Sequence, residues 1–131
     1  MLRNSRLILA INGMIMITLG GAFWIFPDFF TLLMFPKLVD NREALDVGIA
    51  LRKNMGAGTA FIGLMLFWCQ NSSKFIAQRL LLCCAFGFLM LAVAVWEVRY
   101  SGQADSPIAI IVLFFFLSLL SLYVGTRRYQ E

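Results

Sequence analysis

Long stretches without a charged residue alternate with short polar intervals along most of this chain. Three of them cover residues 7–26, 80–96 and 108–125. A helix rises about 1.5 Å per residue, so about 20 apolar residues cross a hydrocarbon core of about 30 Å. We therefore predict transmembrane helices at about residues 7–26, 79–98 and 108–125.

A fourth stretch is apolar but is interrupted by charge. Residues 55–69 are uncharged but too few to cross a bilayer, and extending the helix back to residue 46 includes Arg52 and Lys53. On a count of about 20 residues, both lie less than one turn inside the outer boundary, from where long basic side chains can snorkel to the surface. A further span is therefore predicted at about residues 46–70.

The longest polar interval, residues 27–44, lies between the first two predicted spans. It opens with an apolar cluster between Asp28 and Lys37. About eight residues cannot cross a bilayer, so a short helix or loop in the membrane interface is expected. The predicted fold is all-α: a four-helix transmembrane bundle with a short interfacial helix or loop between helices 1 and 2.

The composition supports a membrane location. Hydrophobic residues make up 61% of the 131 residues and charged residues 14%, whereas a soluble domain has about 45–50% and about 25%. A soluble domain of this size buries only about 60–70% of the surface that its unfolded chain exposes. The chain is therefore predicted to form one integral membrane domain, residues 1–131, in contact with membrane lipids.

The net charge of +4 is informative mainly through the positions of the basic residues along the chain. Lys and Arg are scattered beside the apolar stretches instead of forming a basic stripe, so nucleic-acid binding is not expected. Cytoplasmic flanks of membrane proteins are richer in Lys and Arg. Of the 11 basic residues, six lie on the side of both termini and five on the other. The six are Arg3, Arg6, Lys74, Arg79, Arg127 and Arg128, and the five are Lys37, Arg42, Arg52, Lys53 and Arg99.

This excess predicts a multi-pass protein with cytoplasmic N- and C-termini, in a bacterial inner membrane. Trp and Tyr prefer the two membrane interfaces. Trp24 and Trp96 fall at the predicted outer ends of spans, and Trp68 falls at a predicted inner end.

Few residue types suited to catalysis are present. The sequence contains no His, the commonest general base, metal ligand and haem ligand. Cys69, Cys83 and Cys84 form no CxxC pair and are interpreted as small packing residues, with lipidation of Cys69 or redox chemistry as alternatives. We accordingly predict no catalytic residue, no metal site and no cofactor.

Ionisable residues near membrane depth are the best indication of a site. Arg52, Lys53 and Glu97 are expected at similar heights near the outer face. In one interpretation, Glu97 forms an ion pair with one of the two cations and the other snorkels. In the other, the three residues form a polar pocket between helices that binds an anionic head group or a small acid.

Small and polar residues inside the spans are predicted to hold the helices together. Small residues let backbones approach closely in lipid, where side-chain hydroxyls and amides also form hydrogen bonds between helices. The predicted packing positions are Gly13, Gly20, Gly21, Gly56, Ala60, Gly63 and Gly125. The side chains predicted to form hydrogen bonds between helices or to the backbone are Asn12, Thr18, Thr59, Ser118 and Ser121.

One part of the pattern is similar to a known group. A glycine-bearing first helix ends in WIFP at residues 24–27, and LRKNMGAG at residues 51–58 leads to Gly63. This order resembles the small four-helix, bacterial-type membrane proteins related to the DoxX-like group. The resemblance singles out Arg52, Gly56 and Gly63. It implies no particular activity for many members, and a role as membrane subunits in quinone-coupled sulfur oxidation for a few.

Three functions follow from these observations. The leading prediction is a non-enzymatic membrane protein that acts as a subunit or accessory of a larger complex or associates with itself. The first alternative is a small-solute transporter or channel with Arg52 and Glu97 at its mouth. The second is a quinone-linked redox membrane subunit whose partner carries the cofactor.

Overall fold

The computed structural model describes residues 5–126, and within this range every regular element is helical. The orientation prediction also used Arg3, Arg127 and Arg128, which lie outside the described residues. There are five α-helices in the described part of the chain, and 3-10 turns follow α2 and α3. The α-helices are α1 (Ser5–Ile25), α2 (Pro27–Met34), α3 (Arg42–Trp68), α4 (Lys74–Tyr100) and α5 (Ile108–Thr126), and the turns are Pro36–Asp40 and Cys69–Asn71.

Three helices in the described range, α1, α4 and α5, are long and apolar enough to cross a membrane. They match the predictions at residues 7–26, 79–98 and 108–125, although α4 extends beyond its predicted bounds at both ends. The predicted span at residues 46–70 is also helical, as part of α3. However, α3 is not among these three, because its first turns contain several charged residues. The structure therefore establishes three candidate spans, one fewer than predicted.

Local sequence signals set where the helices begin and end. Pro27 disfavours a helical conformation at the residue before it, and Phe26 has φ −121° and ψ 54° between α1 and α2. The Asn41 side chain accepts a hydrogen bond from the Ala44 backbone nitrogen at 3.2 Å, so it caps the start of α3. α4 ends at Tyr100, two residues before Gly102, whose φ of +72° lies in the left-handed region that glycine adopts readily.

The long helices pack as two antiparallel hairpins. α1 lies along α3, and α4 lies along α5; α1 also touches α4 and α5, which joins the hairpins. Two buried clusters fill this junction. One contains Ile8, Leu9, Leu66, Ala77, Leu81 and Val124, and the other contains Met16, Phe88, Ala92, Phe114 and Leu117. Contact between α3 and α4 is marginal at most, so one flank of α3 is left open.

Glycines bring the backbones of α1 and α3 together. A Cβ atom added to Gly13 would lie 2.8 Å from the Gly63 carbonyl oxygen, and one added to Gly20 would lie 2.6 Å from the Gly56 carbonyl oxygen. Ala60 lies in the same contact, against Gly20. The opposing pairs run in reverse order along the two helices, which makes the hairpin antiparallel.

Two other predicted packing glycines differ from this group. Gly125 belongs to the second hairpin, where a Cβ atom would lie 3.2 Å from Leu82 Cδ2. Gly21, which was predicted as a packing position, has no such neighbour within 4 Å and takes no part in the α1–α3 contact. The glycine that contacts the α3 backbone is Gly20, one residue earlier.

A side-chain hydrogen bond connects the two hairpins, and another joins the two helices of the second hairpin. Asn12 Nδ2 in α1 donates to Ser121 Oγ in α5 at 2.8 Å. Ser118 Oγ in α5 donates to the Ala85 carbonyl oxygen in α4 at 2.7 Å. Both contacts are buried, and they agree with the predicted role of Asn12, Ser118 and Ser121 in holding the helices together.

Candidate functional site

A cavity of about 400 Å³ lies at the end of the molecule where α1 ends and α3 begins. Its walls come from α2, α3, α4 and the segment between α4 and α5. Arg52 is the only charged residue in the wall within the described part of the chain. The other wall residues are mostly apolar: Thr31, Met34, Phe35, Gly48, Leu51, Met55, Leu91, Ala94, Val95, Val98, Ala104 and Ser106. We call this the Arg52 cavity.

The glycine contact determines where Arg52 points. Arg52 precedes Gly56 by four residues, so both lie on the same face of α3. A Cβ atom on Gly56 would lie 2.8 Å from the Trp24 backbone nitrogen, which places this face against the last turns of α1. The Arg52 guanidinium carbon accordingly lies 5.2 Å from the centre of the Phe23 ring.

The first turns after α1 close the cavity from one end. α2 carries Met34, whose Sδ atom accepts a hydrogen bond from Arg52 Nη2 at 2.9 Å. The Met34 carbonyl oxygen accepts from the Asp105 backbone nitrogen at 2.8 Å, which connects α2 to the segment after α4. Arg99 donates to the Ser106 carbonyl oxygen and holds that segment against α4.

Arg52 is enclosed but has weak partners. Only 8% of its surface is exposed. A thioether sulfur is a weak acceptor, and a guanidinium carries five N–H donors. Within residues 5–126, Arg52 forms no ion pair, and its contacts are those with Met34 and Phe23. Within this range, Asn12 Oδ1 is the one fully buried polar side-chain atom that lacks a hydrogen-bond partner. The Arg52 nitrogens that form no hydrogen bond are therefore not fully buried.

Lys53 and Glu97 do not join Arg52. Both side chains are exposed, and neither lines the cavity. On α4, Leu91, Ala94 and Val98 face the cavity, and this register places Glu97 on a face of α4 that does not line the cavity. The structure thus places Arg52 at the predicted site without the two residues that were expected to accompany it.

A second cavity, of about 570 Å³, continues from the first along the open flank of α3. Leu91 and Ala94 line both. Its wall is otherwise formed by apolar residues of α1, α3 and α4, together with Cys83 and Cys84. Ile62 and Met90 are exposed, so this cavity opens sideways between the helices. The two neighbouring cavities share this part of the α4 wall, and we call them together the α3–α4 groove, with Arg52 at one end.

In the described residues, no group of three or more Cys, Asp or Glu side chains is positioned to hold a metal ion. The groove instead combines one cation with a long apolar surface. Sequence reasoning missed Phe23, Met34 and the segment around Ser106, because their approach to Arg52 depends on how α1, α2 and that segment pack around α3 and not on any local pattern.

Comparisons with known proteins add no relative to this description. No protein-family model matches the sequence, and no match is found among curated proteins or solved structures.

Proposed function

We propose that this chain is a non-enzymatic integral membrane protein with four spans, and that it acts as a subunit or accessory of a larger membrane assembly or associates with itself. The observation that carries the proposal is the face of α3 opposite α1. Gly58, Phe61, Met65 and Trp68 are all exposed there. We call these four residues the outer stripe.

The spacing of the outer stripe is that of a helix–helix seam. Its members are separated by three, four and three residues, as in the apolar positions of a heptad repeat. Gly58 has no neighbouring atom within 4 Å of a Cβ position, so the stripe combines an open notch with large apolar side chains. Small residues of this kind favour close helix packing in lipid, where apolar side chains alone gain little by leaving the lipid tails.

The fourth span is supported by the way α3 lies along α1. Contacts between them extend from Gly13 and Phe67 at one end to Trp24 and Gly56 at the other. Since α1 is itself long and apolar enough to cross a membrane, α3 accompanies it over most of that depth. Arg52 and Lys53 then lie close to the outer boundary, where basic residues are tolerated.

With α3 as a span, Ser5 and Thr126 lie on one side of the membrane. Cytoplasmic termini in a bacterial inner membrane and a relationship to the DoxX-like group stay predictions from the sequence. Under that relationship Arg52, Gly56 and Gly63 are the shared positions.

The proposal is tested by the size of the particle in native lipid. We expect wild-type protein, extracted with its surrounding lipid into polymer-bounded discs, to give a particle containing more than one polypeptide chain by mass photometry. Gly58→Leu fills the notch and should shift particles to a single chain. Gly87→Leu is the matched control, because Gly87 on α4 is equally open but lies outside the stripe.

Two outcomes contradict the proposal. Wild-type particles that contain a single chain at native abundance would refute assembly. If Gly58→Leu and Gly87→Leu leave multi-chain particles equally intact, the outer stripe is not the interface. Circular dichroism of each variant verifies that helix content is unchanged.

A further inference from the structure

We propose that the α3–α4 groove binds an anionic phospholipid, with its phosphate at Arg52 and an acyl chain along the apolar wall. This binding is independent of the assembly proposed above, since the groove and the outer stripe lie on different sides of α3. It assigns a ligand class to Arg52, the one charged side chain among residues 5–126 that is buried beside a cavity.

The first argument is the charge of Arg52. Enclosing a charge is unfavourable unless a counter-charge and hydrogen bonds compensate for it. Arg52 is 92% enclosed, as its 8% exposure shows, and its contacts in the described residues are a thioether and an aromatic ring. Neither carries a negative charge. An anion in the cavity would supply the missing partner, and its oxygens could accept from the remaining guanidinium nitrogens.

The second argument is the shape and polarity of the space. The Arg52 cavity and the neighbouring cavity share Leu91 and Ala94, so the space continues away from the cation along α3 and α4. The Thr31 hydroxyl in the wall donates its hydrogen bond to the Pro27 carbonyl oxygen, so it does not serve as a donor to a ligand. A ligand that matches this surface has one anionic end and a long hydrocarbon remainder.

The third argument selects a membrane lipid over a soluble amphiphile. The groove opens sideways past Ile62 and Met90, both of which are exposed, so it is accessible from the hydrocarbon layer. Arg52 lies near the end of α1, close to the level at which lipid phosphates are found. A guanidinium matches a phosphate geometrically because it donates two parallel hydrogen bonds.

The test compares lipids at fixed protein composition. Purified protein in nanodiscs of equal phosphatidylglycerol and phosphatidylcholine is released in the mass spectrometer, and the lipids that remain bound are counted. We expect one phosphatidylglycerol per chain to be retained in preference to phosphatidylcholine. Arg52→Gln removes the cation and should reduce this preference by roughly 10- to 100-fold, the range for a charge-assisted hydrogen bond.

Two further variants make the result specific. Lys53→Gln removes the adjacent cation, which is exposed and outside the groove, and should leave the preference unchanged. Ala94→Phe places a ring where the two cavities meet and should expel the lipid while Arg52 remains. This second variant keeps the test decisive if Arg52→Gln does not fold, as judged by circular dichroism.

Several results would overturn the proposal. These are equal retention of both lipids by wild-type protein, full retention by Ala94→Phe, or an equal loss of preference in Lys53→Gln, which would indicate binding to surface charge alone. Displacement of the bound lipid by a stoichiometric amount of oleate would identify a free fatty acid as the ligand. Displacement by millimolar inorganic phosphate would show that the acyl chain contributes nothing.

Discussion

Two adjacent glycines in α1 have opposite surroundings. A Cβ atom on Gly20 would lie 2.6 Å from the Gly56 carbonyl oxygen and would also collide with the backbone of Ala60. Gly21 has open space instead. Backbone cannot move aside as a flexible side chain can, so a single methyl group at Gly20 must separate the two helices.

We predict that Gly20→Ala destabilises the protein by about 1–3 kcal/mol, the usual cost of overpacking. Unfolding in mixed micelles of increasing denaturing-detergent content, followed by circular dichroism, measures the change. Gly21→Ala is the matched control and should be at least as stable as the wild type, because alanine has the higher helix propensity. Equal destabilisation by the two substitutions would mean that a cause other than the α1–α3 approach decides the outcome.

The Asn12–Ser121 contact is the second residue-scale test. The Asn12 side chain is fully buried and its Nδ2 atom donates to Ser121 Oγ at 2.8 Å. We predict a coupling free energy of about 0.6 kcal/mol, and no more than about 1.7, which is the range for hydrogen bonds between helices in lipid.

A double-mutant cycle of Asn12→Ala and Ser121→Ala in the same unfolding assay gives this coupling directly. Thr18→Ala paired with Ser121→Ala is the control, because the Thr18 hydroxyl donates to the Met14 carbonyl oxygen within α1 and contacts no other helix through that bond. If the coupling measured for Asn12 is as small as that for Thr18, the Asn12–Ser121 hydrogen bond does not stabilise the contact between the hairpins.

At this scale, sequence spacing identified candidates but could not choose among neighbours. Gly20 and Gly21 follow Gly13 by seven and eight residues, and either separation returns to the same face of a helix. Arg52 and Lys53 are also adjacent, and both were placed near the outer boundary. The packing of α1 and α2 against α3 determines that Arg52 is enclosed while Lys53 is exposed.

At the element scale, the hydropathy of α3 and its packing against α1 point to different membrane positions. Its charged first turns keep it below the hydropathy of α1, α4 and α5, yet it lies along α1 from Phe67 to Gly56. Under the proposed four-span arrangement, α3 follows α1 through the hydrocarbon layer and its charged first turns extend beyond that layer.

We predict that reporter fusions after residues 38 and 72 lie on opposite sides of the membrane. A fusion after residue 103 should match the one after residue 38, because α4 is itself long and apolar enough to cross. Paired alkaline phosphatase and green fluorescent protein fusions, active on opposite sides of a bacterial inner membrane, make the measurement. The same side for residues 38 and 72 would place α3 in the interface and remove the fourth span.

The ends of a helix could be predicted only where they coincide with the ends of its apolar run. The predicted span at residues 108–125 matches α5 closely, because Pro107 precedes it and its apolar run is continuous. The helix α4 begins at Lys74 and ends at Tyr100, well outside the predicted bounds of 79–98. Hydropathy detects the apolar part of a helix, whereas the helix continues through polar residues until a signal such as Gly102 ends it.

At the scale of the whole molecule, the all-helical fold follows from composition and the apolar runs. The pairing of helices does not, because small residues occur in several helices and spacing alone does not identify which face meets which. The α3–α4 groove was unpredictable for a further reason: it arises from helices that scarcely touch. A ligand site formed in this way has no motif of its own beyond a single arginine.

The pairing of chain neighbours into hairpins has a consequence for biogenesis. α3 is the next long helix after α1, and α5 is the next after α4. Each pair can associate as soon as its second member has been synthesised, with no need to wait for distant segments. The hydrogen bond between Asn12 and Ser121, which connects the two hairpins, can form only after α5 has been synthesised, so this connection becomes possible later than the pairing of α1 with α3.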